Sequence, residues 1–219
     1  MTDHSFTIQK FDFLVALYIT CIMIAELLGA KTFPLANLWG YHLNASVAIL
    51  VLPLIFTVND VIVEVYGKAR AQSVVRAGLL MIGFLIVFSV IATALPPSSR
   101  FVTTEPAYDK IFQQSIRIAV SSLTAFALAE FLDVWVFTAL RRKFGTSKLW
   151  FRNNASNFIS QFVDTTVFMT LAFYALDKPL AMNVSFLTSL ILPYWLLKCS
   201  MSVIETPFVY WGVKWLKQT

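Results

Sequence analysis

Asp60-Val-Ile-Val-Glu64-Val-Tyr66-Gly67-Lys68-Ala-Arg70-Ala-Gln72 closes an apolar run that begins near Ala45. The run is long enough to cross a bilayer, which takes about 20 predominantly apolar residues. It nevertheless carries two acids, Asp60 and Glu64, four residues apart and therefore on one helix face. A carboxylate within a membrane span costs ~3 kcal/mol on translocon-type scales, so it is normally turned toward a protein interior or a wet cavity. The stretch predicts a polar site built inside a membrane protein.

Composition agrees. Of 219 residues, 58% are hydrophobic and only 13% charged, with 20 Phe, too few charges to cover a soluble domain of this length. The class expected is all-α: one polytopic transmembrane domain over residues 1–219. The formal charge of +5 does not mark a nucleic-acid binder, because the basic residues sit in short segments between apolar runs and read as topology determinants. Cys21 and Cys199 both fall inside expected spans and act there as small hydrophobes. His4 and His42 are far apart, no Cys/His spacing suits a metal, and neither a phosphate loop nor a nucleophile elbow is present. No cofactor is expected, and no enzyme activity.

Six spans are expected: Phe11 to Leu28, Ala45 to Val65 with a kink at Pro53, Val74 to Leu95, Ile116 to Leu140, Asn157 to Leu176, and Val184 to Ile204. The first reads as a span rather than a cleaved signal peptide, since a basic n-region and an Ala-x-Ala-like cleavage site are missing. Lys31 to Asn44 is expected as an aromatic interfacial loop, and 96–115 as the longest loop, a candidate lid. The tail from Thr206 to Lys217 reads as an interfacial anchor. With the N-terminus cytoplasmic, eleven basic residues lie inside against five outside, so both termini are expected in the cytoplasm.

In that orientation Asp60, Asp133 and Asp164 each stand five to seven residues from the cytoplasmic end of their spans, roughly 10 Å deep. Glu130-Phe-Leu-Asp133 and Gln161-Phe-Val-Asp164 repeat one spacing on two antiparallel spans, as an inverted pairing around one cavity would. The candidate substrate-binding set is Asp60, Glu64, Glu130, Asp133, Asn157, Gln161 and Asp164. Arg70, Arg117, Arg152 and Lys198 are the candidate charge-balancing or gating cations. The bland reading is that acids and bases merely pair and lock the bundle. A surplus of acids, with Phe126, Phe131, Trp135, Phe158, Phe162 and Phe168 nearby in sequence, favours instead a small, planar solute rich in N–H donors.

The ordered words Phe56…Asp60…Glu64-Val-Tyr-Gly-Lys-x-Arg70, Ser122-Leu-x-Ala-Phe126…Asp133-Val…Phe137, Leu149-Trp-x-Arg152…Ser156…Ser160-Gln161…Asp164…Phe168, then Lys198 and Thr206-Pro207, resemble the queuosine-precursor (vitamin-uptake-type) transporters over nearly the whole chain. The resemblance implies a six-helix carrier in the bacterial inner membrane. Its substrates would be 7-cyano- and 7-aminomethyl-7-deazaguanine, imported for tRNA modification; its surroundings would be the lipid bilayer, with no nucleic acid as partner and a homo-oligomer compatible with the reading. Two positions depart from the family pattern: Glu26 stands where Asn is expected, and Glu130 where Gln is common. The alternative is a substrate-capture subunit of an ATP-driven vitamin or nucleobase uptake complex; its ATPase partner would be a separate chain, since this one has no ATP-binding motif. An intramembrane aspartyl protease using Asp133 and Asp164 lacks its Gly-x-Gly-Asp word, and a purely structural protein would not carry so many intramembrane acids.

Overall fold

A computed structural model describes residues 9–38, 40–144, 149–204 and 206–217. Some side chains within these ranges lie outside the description, those of Asp133, Arg152 and Asn157 among them. The order of elements is α1 (Lys10–Leu28), β1 (Thr32–Leu38), β2 (Tyr41–Ser46), a 3-10 turn (Val47–Leu50), α2 (Leu52–Tyr66), α3 (Lys68–Ala94), α4 (Glu105–Phe144), α5 (Leu149–Phe173), α6 (Leu180–Ile204) and α7 (Thr206–Lys217). Among the described residues four segments are long and apolar enough to cross a membrane: Lys10–Leu28, Lys68–Ala94, Glu105–Leu132 and Leu180–Met201. Phe158–Phe173 is a shorter apolar segment. The chain is a mostly helical membrane protein.

The interfacial loop expected over Lys31 to Asn44 is instead an antiparallel hairpin, so the bundle is not purely α-helical. Leu38 pairs with Tyr41 across a two-residue turn in which Gly40 takes φ +82°, a conformation glycine adopts without strain. Polar side chains fasten the hairpin to the bundle. The Ser46 hydroxyl donates to the Gly29 carbonyl at 2.6 Å, the Tyr194 hydroxyl donates to the Ser46 carbonyl at 3.0 Å, and the Asn44 amide donates to the Ser189 hydroxyl at 2.8 Å. Ala45 of β2 is fully buried with Met169, Leu190 and Tyr194 of α5 and α6. The hairpin is therefore part of the core.

Pro53 does not kink a long second span. It lies in the first turn of α2, where its missing N–H costs nothing, and α2 has only 15 residues. Gly67 separates α2 from α3 with φ +82° and ψ 163°, a region that is essentially glycine-only. The Tyr-Gly-Lys word is thus the corner at which the chain turns back.

The loop expected over 96–115, the candidate lid, is also shorter, because α4 begins at Glu105. Thr104-Glu105-Pro106 is a helix start, with Pro near the first turn and an acid facing the positive helix end; the Thr104 carbonyl accepts from the Ala107 and Tyr108 amides. The C-terminal α7 lays Val209, Val213, Trp215 and Leu216 on the cluster formed by Leu14, Tyr18, Val58, Val61 and Ile62. Its contact with α2 is close: a Cβ on Gly212 would meet Val61 Cγ2 at 2.8 Å. Phe208, Tyr210 and Trp211 are left on its outer face. Lys10 ties the two chain ends together by donating to the Trp215 carbonyl at 2.8 Å.

Candidate functional site

A cavity of about 270 Å³ opens between α1, α2, α3, α4, α5 and α6, near the small end of the ~300–1,000 Å³ usual for small-molecule sites. Its polar groups come from four helices: Tyr18 and Glu26 from α1, Ser122 from α4, Asp164 and Thr165 from α5, Tyr194 and Lys198 from α6. Phe56, Phe126 and Phe168 supply aromatic surface. A larger apolar cavity of about 490 Å³ lies on the flank of α1, α2 and α7, lined by residues such as Phe13, Leu54, Phe208 and Trp211. Among the described residues lining it, the polar groups are the Thr57 hydroxyl and the indole N–H groups of Trp211 and Trp215, with no charged side chain, so recognition of a charged or strongly polar solute belongs to the first cavity.

The centre of the polar set is an ion pair. Lys198 Nζ donates to Asp164 Oδ2 at 2.5 Å, with both side chains largely removed from solvent. A charge-assisted bond of this kind offsets the desolvation that either ion would suffer alone. It also fixes α5 against α6 at the cavity wall. Asp164 lies 15 residues after the first residue of α5, because the helix begins at Leu149 rather than near Asn157. The expected common level near a membrane face therefore does not follow from the helix ends.

The other candidates are distributed unevenly. Asp60 and Glu64 on α2 and Glu130 on α4 are exposed and do not line the cavity. Gln161 is half-buried one turn before Asp164, likewise outside the lining. Arg70 is exposed and sits over the Phe11 ring, 4.8 Å from its centroid. Arg117 points its guanidinium at the end of α5, donating to the Leu171 carbonyl at 2.7 Å and the Tyr174 carbonyl at 2.6 Å. Asp133, Asn157 and Arg152 lie outside the residues whose side chains are described.

Of the expected aromatic lining, Phe126 and Phe168 are present. Phe131 and Trp135 are exposed, while Phe158 and Phe162 meet Trp195 edge-on at 4.6 and 5.2 Å. Thr165 and Tyr194 are not among the sequence-predicted site residues, because an uncharged hydroxyl in an apolar helix carries no sequence signal. Glu26 did carry one, an acid within the first span.

Residues 46–212 match the family described as "Putative vitamin uptake transporter". A probable queuosine precursor transporter of Bacillus subtilis is 33% identical over 175 residues, covering 78% of this chain and 72% of the relative. One of Haemophilus influenzae is 28% identical over 177 residues, covering 80% of this chain and 69% of the relative. The queuosine precursor transporter of Escherichia coli is 31% identical over 122 residues, 56% of this chain and 52% of its own. No solved structure matches.

Proposed function

We propose, from the premise that this chain belongs to the vitamin uptake transporter family, that it is a multi-pass carrier of the bacterial inner membrane importing precursors of the tRNA base queuosine. The relatives named for queuosine precursors support the solute class. The solutes are 7-cyano- and 7-aminomethyl-7-deazaguanine, planar heterocycles with adjacent N–H donors. The observation that carries the reading is the half-buried Asp164–Lys198 pair at the wall of a helix-bounded cavity. Lys198 engages Oδ2, and Asp164 offers its other oxygen to the N–H edge of the base. Phe126 and Phe168 present apolar faces to its rings. Nothing in this arrangement requires a bond to be made or broken.

The finer topology belongs to the same proposal. The 3-10 turn with α2, and α5, supply two crossings beyond the four long apolar segments, giving six, with both termini cytoplasmic on the charge asymmetry. Residues 1–219 act as one transporter domain. Asp60, Glu64, Glu130, Asp133, Asn157 and Gln161, with Arg70 and Arg152, are assigned to binding or gating on sequence grounds, while Arg117, on the terminal carbonyls of α5, is assigned to holding that helix end.

The test is uptake of labelled 7-cyano-7-deazaguanine into liposomes holding only the purified protein, with unlabelled guanine as competitor. Saturable, competed uptake is expected. Binding without uptake would replace the carrier with a capture subunit that needs an ATPase partner, and neither would remove the solute class.

A further inference from the structure

The acidic and basic groups around the cavity are unequal in number. Among the described residues lining it, the carboxyls are Glu26 and Asp164 and the cation is Lys198. Lys198 is taken by Asp164 at 2.5 Å. Glu26 has no such partner, although it is only 5% exposed, and its Oε2 is buried without a hydrogen bond. Lys31, five residues on, is exposed beyond the helix end. A second orphan belongs to the same lining: Thr165 Oγ1, on a residue 1% exposed, also lacks a partner. Ser122, half-buried on the cavity wall, is the polar neighbour of Glu26.

Buried acceptors are seldom left unsatisfied, since each costs about as much as a lost hydrogen bond. Two orphan oxygens and an adjacent hydroxyl around one cavity fit a group that brings a positive charge and several N–H donors. A primary ammonium has three donors and one charge, and an alkylamine remains protonated well above neutral pH. A nitrile offers neither. We propose that Glu26, with Ser122 beside it and Thr165 on the wall of the same cavity, is a selectivity site for a solute carrying a protonated amine, and that this chain prefers the aminomethyl over the cyano precursor. The inference rests on the transport reading above and names which solute of that class the site favours.

The experiment measures binding of 7-aminomethyl-7-deazaguanine and 7-cyano-7-deazaguanine to the purified full chain and to Glu26→Gln. Wild type should bind the amine roughly 10- to 100-fold more tightly than the nitrile, the range expected when a buried charge gains its counter-ion. Glu26→Gln should lose that preference, weakening binding of the amine far more than that of the nitrile. Equal weakening of both solutes would make Glu26 a general part of the cavity wall and overturn the assignment. So would a wild-type protein that does not distinguish them, a result that decides the matter even if the variant fails to fold. Binding of neither solute by wild type would instead bring down the transport reading, and this one with it.

Discussion

Lys198 Nζ on α6 lies 2.5 Å from Asp164 Oδ2 on α5, closing an ion pair at the wall of the central cavity. Removing one partner of such a pair leaves the other charge uncompensated, which costs ~3–5 kcal/mol when burial is complete. Here Asp164 keeps 25% and Lys198 15% of their side-chain exposure, so solvent screens part of that. Asp164→Asn should still reach the membrane and should abolish uptake, because it removes the charge that anchors Lys198 and turns one of the two acceptor oxygens into a donor, so that Lys198 and the solute can no longer both be held. Lys198→Met should do the same with a lower thermal midpoint. Uptake at the wild-type rate by folded Asp164→Asn would remove this residue from the site.

Gly67 carries a different kind of constraint. At φ +82° and ψ 163° any side chain is strained, although a Cβ there would meet nothing within 4 Å. The cost of Gly67→Ala is therefore backbone strain alone, about 1–3 kcal/mol. Thermal unfolding of the purified variant should begin earlier than that of wild type, with unchanged solute affinity in the fraction still folded. A variant as stable as wild type would show that the corner between α2 and α3 relaxes to another conformation.

What could be read from the sequence divides along physical lines. Long apolar runs such as 10–28 and 68–94 announce spans because lipid demands continuous hydrophobicity. Glu26 and Lys198 announce themselves because charges there are costly. The hairpin at 32–46 was not legible: its stability comes from Ser46, Tyr194 and Asn44 reaching α1 and α6, contacts between residues up to 148 positions apart. Thr104-Glu-Pro did mark the start of α4, but the signal was lost against an expected loop. Nor could sequence tell which acids face inward. Asp60, Glu64 and Glu130 looked equivalent to Asp164, yet only packing of α5 on α6 decides that Asp164 meets the cavity.

The hairpin's attachment can be tested at one atom. The Tyr194 hydroxyl is buried and donates to the Ser46 carbonyl at 3.0 Å. Tyr194→Phe keeps the ring and deletes the bond, leaving the carbonyl unsatisfied at a cost of ~1–3 kcal/mol. Amide exchange of residues 41–46 should quicken more than that of α3, which the hydroxyl does not touch. Uniform quickening would place the effect in the whole bundle.

Topology gives a prediction of direction. If both termini are cytoplasmic, as proposed, a reporter active only in the periplasm and fused after Thr219 should stay silent, while one inserted in the 95–104 connection should be active. The charge balance behind this is eleven basic residues against five. Activity at the C-terminal fusion would require an odd number of crossings if the N-terminus is cytoplasmic, and α2, the shortest candidate at 15 residues, would be the first to lose its status as a span.

Arg117 separates a structural cation from a gating one. Its guanidinium donates to the carbonyls of Leu171 and Tyr174, groups at the α5 terminus that the helix itself cannot satisfy. The bonds are solvent-exposed, so their loss should cost about 1–2 kcal/mol rather than the full value of a buried charged bond. Arg117→Met should therefore lower the thermal midpoint modestly and leave uptake per folded molecule unchanged. Arg117→Lys should recover part of the stability, since an ammonium can reach one carbonyl but lacks the planar fork that reaches two. If Arg117→Met melts as wild type does but no longer takes up solute, the residue acts on the transport cycle, and its place at the end of α5 is one conformation of a moving part.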